Sequence, residues 1–287
     1  MVLRTKLRKK EMNSNTISKA VLVVLLTAGI CKATECTRPC VPDETQQAAQ
    51  CAQPKAGPVD DVLKQLNDKT IELQSYEGQL EYKFTQPLLE SQALRKGILY
   101  YAKFGEKSKL RINFLTLKQD DEEEQKYLED YIFDGTWLTQ ISYEIKSAKK
   151  YQLAEPNKPV DAFDVASQNI PLLGFTKIEN LKKQFEITLV EQKEAKPATF
   201  FQLHLKVKPN STYKDDYASL DFWIDKKLGL PTKVVALSPE EDIYEIKFLN
   251  PKINRKINAK VFDFKIPKDF GEPEIVPLER KKDKDGL

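Results

Sequence analysis

The chain has a single histidine, four cysteines crowded into its first 51 residues and no apolar run long enough for a bilayer, and each shortage excludes a class of function. His204 lies in the alternating stretch "FFQLHLKVK" with Gln202, Lys206 and Lys208 on its own parity, so it reads as a solvent-facing strand residue rather than a general base. No G-x-S-x-G, C-x-x-C, Walker or dinucleotide glycine pattern occurs. The carboxylate groups Asp215-Asp216 and Glu240-Glu241-Asp242 stand beside turn residues, as solvated loops do. No catalytic residue is assigned, no cofactor is expected, and the chain is read as not an enzyme. Cys31, Cys36, Cys40 and Cys51 lack a partner set suited to zinc, so no metal is assigned; they read as an oxidised or unpaired stub in an exported linker.

Charge is also scarce once it is divided along the chain. The net +3 contains +6 from residues 1–33 (seven Lys/Arg against Glu11), which leaves −3 on the rest. A basic field for nucleic acid is therefore missing, and no nucleic-acid partner is expected. The same basic stretch, followed by "AVLVVLLTAGI" from Ala20 to Ile30, reads as an export signal, since eleven apolar residues fall short of the ~20 that span a bilayer. Cleavage after Ala33 fits the small residues Cys31 and Ala33, and the protein is expected to be exported to the periplasm, or tethered to the membrane if the leader stays. The expected organisation is a signal peptide over 1–33, a flexible Cys/Pro/Gln linker over 34–58, a folded domain over 59–272 and a charged tail over 273–287.

What the chain does have is strands. An amphipathic helix opens the domain, with Val59, Val62, Leu63, Leu66, Thr70 and Leu73 at helical spacing behind Pro58, Asp60 and Asp61. "GQLEYKFTQ", "GILYYAKF" and "KLRINFLTL" then alternate or run apolar. Further strands are expected at 131–133, 137–145, 185–191, 200–208, 219–225, 232–237, 243–249 and 260–264. About eleven strands with short turns describe one antiparallel sheet curling toward a barrel. Asp134-Gly135, between two apolar runs, predicts a hairpin with a type I′ turn, and "DDEEE" (120–124) a solvated hairpin loop. The stretch 159–185 reads as one or two short helices interrupted at Pro171, placed to cover the concave side of a curved sheet. Eleven tyrosines, fourteen phenylalanines and two tryptophans sit mainly in the strands, where they either fill a core or wall an apolar cavity.

The order of these features resembles the bacterial outer-membrane lipoprotein carrier (LolA/LolB-like) family. The matching residues are Ser75-Tyr76 with Phe84-Thr85-Gln86, then Gly97, Asp134-Gly135 with Trp137, Trp223-Ile224-Asp225 with Gly229-Leu230-Pro231, and Phe262-Asp263-Phe264-Lys265-Ile266-Pro267. They run collinearly over roughly Val59 to Phe270, as in a divergent member. The resemblance implies a mainly β (α+β) fold, an incomplete antiparallel β-barrel with a helical lid. It also implies an apolar cavity that binds acyl chains of lipoproteins or lipids and carries them through the envelope. Leu80, Tyr82, Phe84, Tyr100, Ile112, Phe114, Trp137, Ile141, Tyr143, Phe163, Leu172, Leu173 and Phe222 are the expected cavity residues. In well-known carriers an arginine after the glycine-led strand bonds to the lid, and the nearest positions here are Lys103 and Arg111. The alternative is a sensor or interaction module on the same fold that binds an inner- or outer-membrane protein.

Overall fold

The computed structural model describes residues 57–105, 107–162, 178–191 and 199–278, with the side chain of Asn180 left aside. Helix α1 (Pro58–Glu72) starts where the sequence signals place it: Pro58 occupies the first turn, and the Asp60 carboxylate accepts from the Gly57 amide. Its apolar stripe buries Val62, Leu63 and Leu66. A short helix α2 (Ile178–Gln184) lies against α1, joined by Lys182 Nζ to Asp60 Oδ1 at 2.6 Å.

Among the described residues twelve strands form one sheet: β1 (Ser75–Gln86), β2 (Ser91–Phe104), β3 (Lys107–Gln119), β4 (Gln125–Phe133), β5 (Trp137–Ser142), β6 (Ser147–Gln152), β7 (Phe185–Leu189), β8 (Phe200–Val207), β9 (Ser219–Asp225), β10 (Pro231–Leu237), β11 (Ile243–Ile253) and β12 (Glu274–Val276). Their order is β12-β6-β5-β4-β3-β2-β1-β11-β10-β9-β8-β7. Two antiparallel meanders, β1 to β6 and β7 to β11, meet where β11 pairs with β1, and β12 adds parallel to β6. The edges β7 and β12 do not pair, so the barrel stays open.

One face of this sheet, the core face, is apolar along its whole width. A single cluster takes buried side chains from every strand β1 to β11, together with Val62, Leu63, Leu66 and Leu181 of the two helices. Twelve flat strands would be about 50 Å wide, and a helix covers only ~10 Å of that. The first helix, which leads into β1, also touches β7 at the far edge, as it does when the sheet curls around the helices in an incomplete barrel. Gly97 sits at a bulge where β3 crosses β2, and a Cβ there would collide with the Asn113 carbonyl oxygen. The glycine is a packing requirement of the bulge.

The other face is wet for most of its width but covered over β3 to β6. There Ile132, Ile141 and Ala148 are buried under Phe264, Ile266 and Phe270, with Tyr143 beside them. This C-terminal strap folds through 3-10 turns at Ala259–Phe262 and Lys268–Phe270 before reaching β12. Residues 260–264 are thus not a strand as their alternation suggested: the Asn258 side chain accepts from Lys260 N and turns the backbone. β6 and β12 are strands the sequence reading did not include.

The Asp134-Gly135 hairpin also differs from expectation. Phe133 pairs with Leu138 and Asp134 N donates to Trp137 O, so Gly135 and Thr136 are the central residues. Positive φ falls on Gly135 alone (100°), so the turn is not type I′, which needs it at both central residues. The Asp134 carboxylate accepts from the amides of Thr136 and Trp137, which fixes the turn.

Candidate functional site

Alternation along each strand sorts the expected cavity residues between the two faces. Leu80, Tyr82, Phe84, Ile112, Phe114 and Phe222 are buried together in the core-face cluster, with Tyr82 and Phe114 rings 6.4 Å apart and Phe114 edge-on to Tyr131. Tyr100 alternates with Leu99 and Tyr101 and so faces outward, across from Arg111. Trp137 alternates with Leu138 and also faces outward, with Lys150 Nζ 5.6 Å above its ring. Ile141 and Tyr143 belong to the patch under the strap. These four do not share a wall with the other six. Phe163, Leu172 and Leu173 lie outside the described residues.

The stretch 159–162, which leads into 163–177, is pinned at the rim of the core face. Val160 N donates to Gly135 O at 2.9 Å, Ala162 N to the buried Ser108 Oγ at 2.7 Å, and the Tyr101 hydroxyl to Asp161 Oδ2 at 3.0 Å. Past 177, Leu181 of α2 is buried in the same cluster, and Lys208 Nζ donates to Lys182 O. Residues 159–162 thus lie beside the Gly135 turn, and α2 lies at the core face.

Of the two candidate lid-control residues, Lys103 bonds to helix α1, its Nζ donating to Ile71 O at 3.1 Å. Arg111 is on the outer face. It forks onto Asp130 through two bonds of 2.9 Å, and its Nη1 donates to Val261 O of the strap at 2.7 Å. Asn113 and Tyr143 complete the bonding of Asp130.

Sequence reasoning did not single out the polar group that the core face carries. Glu129 is fully buried, alternating with Tyr131 and Phe133, and accepts from Arg95 Nη1, the Tyr131 hydroxyl and Gln140 Nε2, each at 3.0 Å. Gln140 also donates to the Tyr131 hydroxyl at 3.1 Å, and the Arg95 guanidinium lies 5.0 Å over the Tyr127 ring. A usable signal existed: Arg95 has the parity of Leu99 and Tyr101, and Glu129 that of Tyr131, so each charge is aligned with apolar neighbours.

Tyrosines gather on this face. Burial pushes the Tyr82, Tyr131 and Tyr217 hydroxyls well above the usual phenol range, and pushes Tyr213 and Tyr244 up to about 12. All of these phenols stay neutral at physiological pH. The acid loop 120–124 stands in solvent, with Glu124 paired to Lys96 at 2.6 Å. His204 is half-exposed and faces Asp221 at 3.1 Å. No helix among the described residues is long and apolar enough to cross a membrane.

No family model and no curated protein matches the chain. Solved structures do. An uncharacterized conserved protein from Thermus thermophilus is 12% identical with a TM-score of 0.43, over 76% of this chain and 97% of that one. The MucA/MucB complex of Pseudomonas aeruginosa is 13% identical with a TM-score of 0.40, over 71% of this chain and 60% of that one. A LolA superfamily protein from Nitrosomonas europaea is 11% identical with a TM-score of 0.32, over 72% of this chain and 97% of that one. At these identities and with TM-scores below 0.5, the likenesses are too distant to carry an argument about function.

Proposed function

We propose that this chain is a periplasmic carrier that holds acyl chains of lipoproteins or lipids against the core face and moves them through the envelope. One observation carries the reading: an open, curled sheet turns a continuous apolar and aromatic face toward only two short helices among the described residues. The sequence motifs arranged in carrier order support it. Burying each CH₂ of an acyl chain contributes ~0.8 kcal/mol, so such a face binds without catalysis or cofactor. To test it, the purified full-length chain is extracted with organic solvent and titrated with a fluorescent fatty-acyl probe. Co-purifying lipid or acylated protein and saturable probe binding are expected. Folded protein with neither would end the reading.

A second reading, an interaction module for a membrane-protein partner, is favoured by one feature. Leu88 and Leu89, at the tip of the β1–β2 turn, are 79% and 68% exposed, an adjacent apolar pair in water. Under this reading Leu88→Glu with Leu89→Glu abolishes capture of an envelope protein by crosslinking and leaves acyl-probe binding intact.

A further inference from the structure

We infer that Arg95 is an anion-recognition residue on the core face, and that the ligand it selects is an acyl amphiphile with a carboxylate or phosphate group. The inference rests on the acyl-binding reading above and adds the chemistry of the head to it. A guanidinium carries five N–H donors. Among the described residues Arg95 makes one hydrogen bond, Nη1 to Glu129 Oε2, which leaves Nε and Nη2 without a protein partner. Its side chain is 13% accessible, enough to be reached but too little for full hydration.

The surroundings hold it in that state. Glu129, 0% accessible, is fixed by the Tyr131 hydroxyl and Gln140 Nε2 and so anchors one edge of the guanidinium. Tyr127 covers a face of its plane. The free edge offers a planar pair of donors, the geometry that matches carboxylate and phosphate oxygens. A buried ion pair gives little stability over an apolar pair of the same volume, so stability alone is a weak reason for this one to stand in an apolar face. Tyr82 lies directly across from Arg95 in the β1–β2 register, so a head at Arg95 places the first methylenes against the apolar cluster.

The test is displacement of a neutral fluorescent acylglycerol from the full-length chain by oleate, lysophosphatidic acid and monoolein. Arg95→Gln would leave Glu129 buried and unpaired, so the informative variant is Arg95→Met with Glu129→Leu, which removes both charges at once. The unsubstituted chain is expected to bind oleate and lysophosphatidic acid at least tenfold more tightly than monoolein. In the double variant that preference disappears while monoolein affinity stays within about threefold. Comparing oleate with lysophosphatidic acid assigns the head as carboxylate or phosphate. Equal affinity for all three ligands overturns this inference and leaves the acyl reading standing, as does a preference that survives in the double variant. Failure of all three to displace a bound probe overturns it as well, and failure of the probe itself to bind overturns both.

Discussion

Glu129 and Asp130 are neighbours in β4, each buried and each paired with an arginine, yet the strand turns them to opposite faces of the sheet. On the outer face every nitrogen of the arginine is bonded: Nε and Nη2 of Arg111 fork onto Asp130, Nη1 holds Val261 O, and Asn113 and Tyr143 fill the other sites of the carboxylate. That set is a clamp for the strap. On the core face both oxygens of the carboxylate are held, while Arg95 is bonded through Nη1 alone. The two arginines are similarly buried; they differ in how many of their nitrogens are bonded, three in Arg111 and one in Arg95.

The largest effect should come from breaking the clamp on one side only. Asp130→Ala strands a partly buried Arg111 and is expected to cost about 3–5 kcal/mol in urea unfolding. A loss below 1 kcal/mol would mean that the strap holds without it. Next come the paired replacements. Arg111→Met with Asp130→Leu leaves the Val261 carbonyl and the Asn113 amide without their partners, at about 1–3 kcal/mol. Arg95→Met with Glu129→Leu should stay within about 1 kcal/mol of the parent, because Gln140 and Tyr131 still bond to each other. Equal losses for the two pairs would dissolve the comparison.

A further effect is set by alkali. Tyr213 and Tyr244 have folded pKa values raised to about 12 by burial, above the ordinary phenol value near 10. The folded state then holds more protons than the unfolded one between about pH 10 and 12, so stability is full below 10 and falls across that window. Phenolate absorbance during an alkaline titration should show these two ionising late. Smallest of all, His204→Ala should shift stability by no more than about 0.5 kcal/mol, since the pair with Asp221 is only half-buried.

Most of the strands were legible because one-sided burial writes a period of two into the sequence. β6 was not: in "SAKKYQ", Ala148 faces the strap and Tyr151 the core, so its two apolar residues have opposite parity and cancel the pattern. β12 is three residues in the stretch read as a charged tail, and only its pairing with β6 marks it. The faces themselves were the harder problem. Trp137, Ile141 and Tyr143 share a parity, but β5 is covered on both sides, by the core and by the strap, so parity could not say which side they took. Arg95 and Glu129 were passed over because charges in strands ordinarily face water. Their role depends on β2 and β4 meeting over β3, a contact no local pattern records.

The central claim, that the core face holds acyl chains, can be tested by position. Both native tryptophans, Trp137 and Trp223, alternate with core-face neighbours and therefore sit on the outer face. Tyr82→Trp places a reporter within the core-face cluster. A fatty acid brominated along its chain should quench the added tryptophan at saturating ligand and leave Trp137 and Trp223 bright. Quenching confined to the native pair, or equal for all three, would contradict the account.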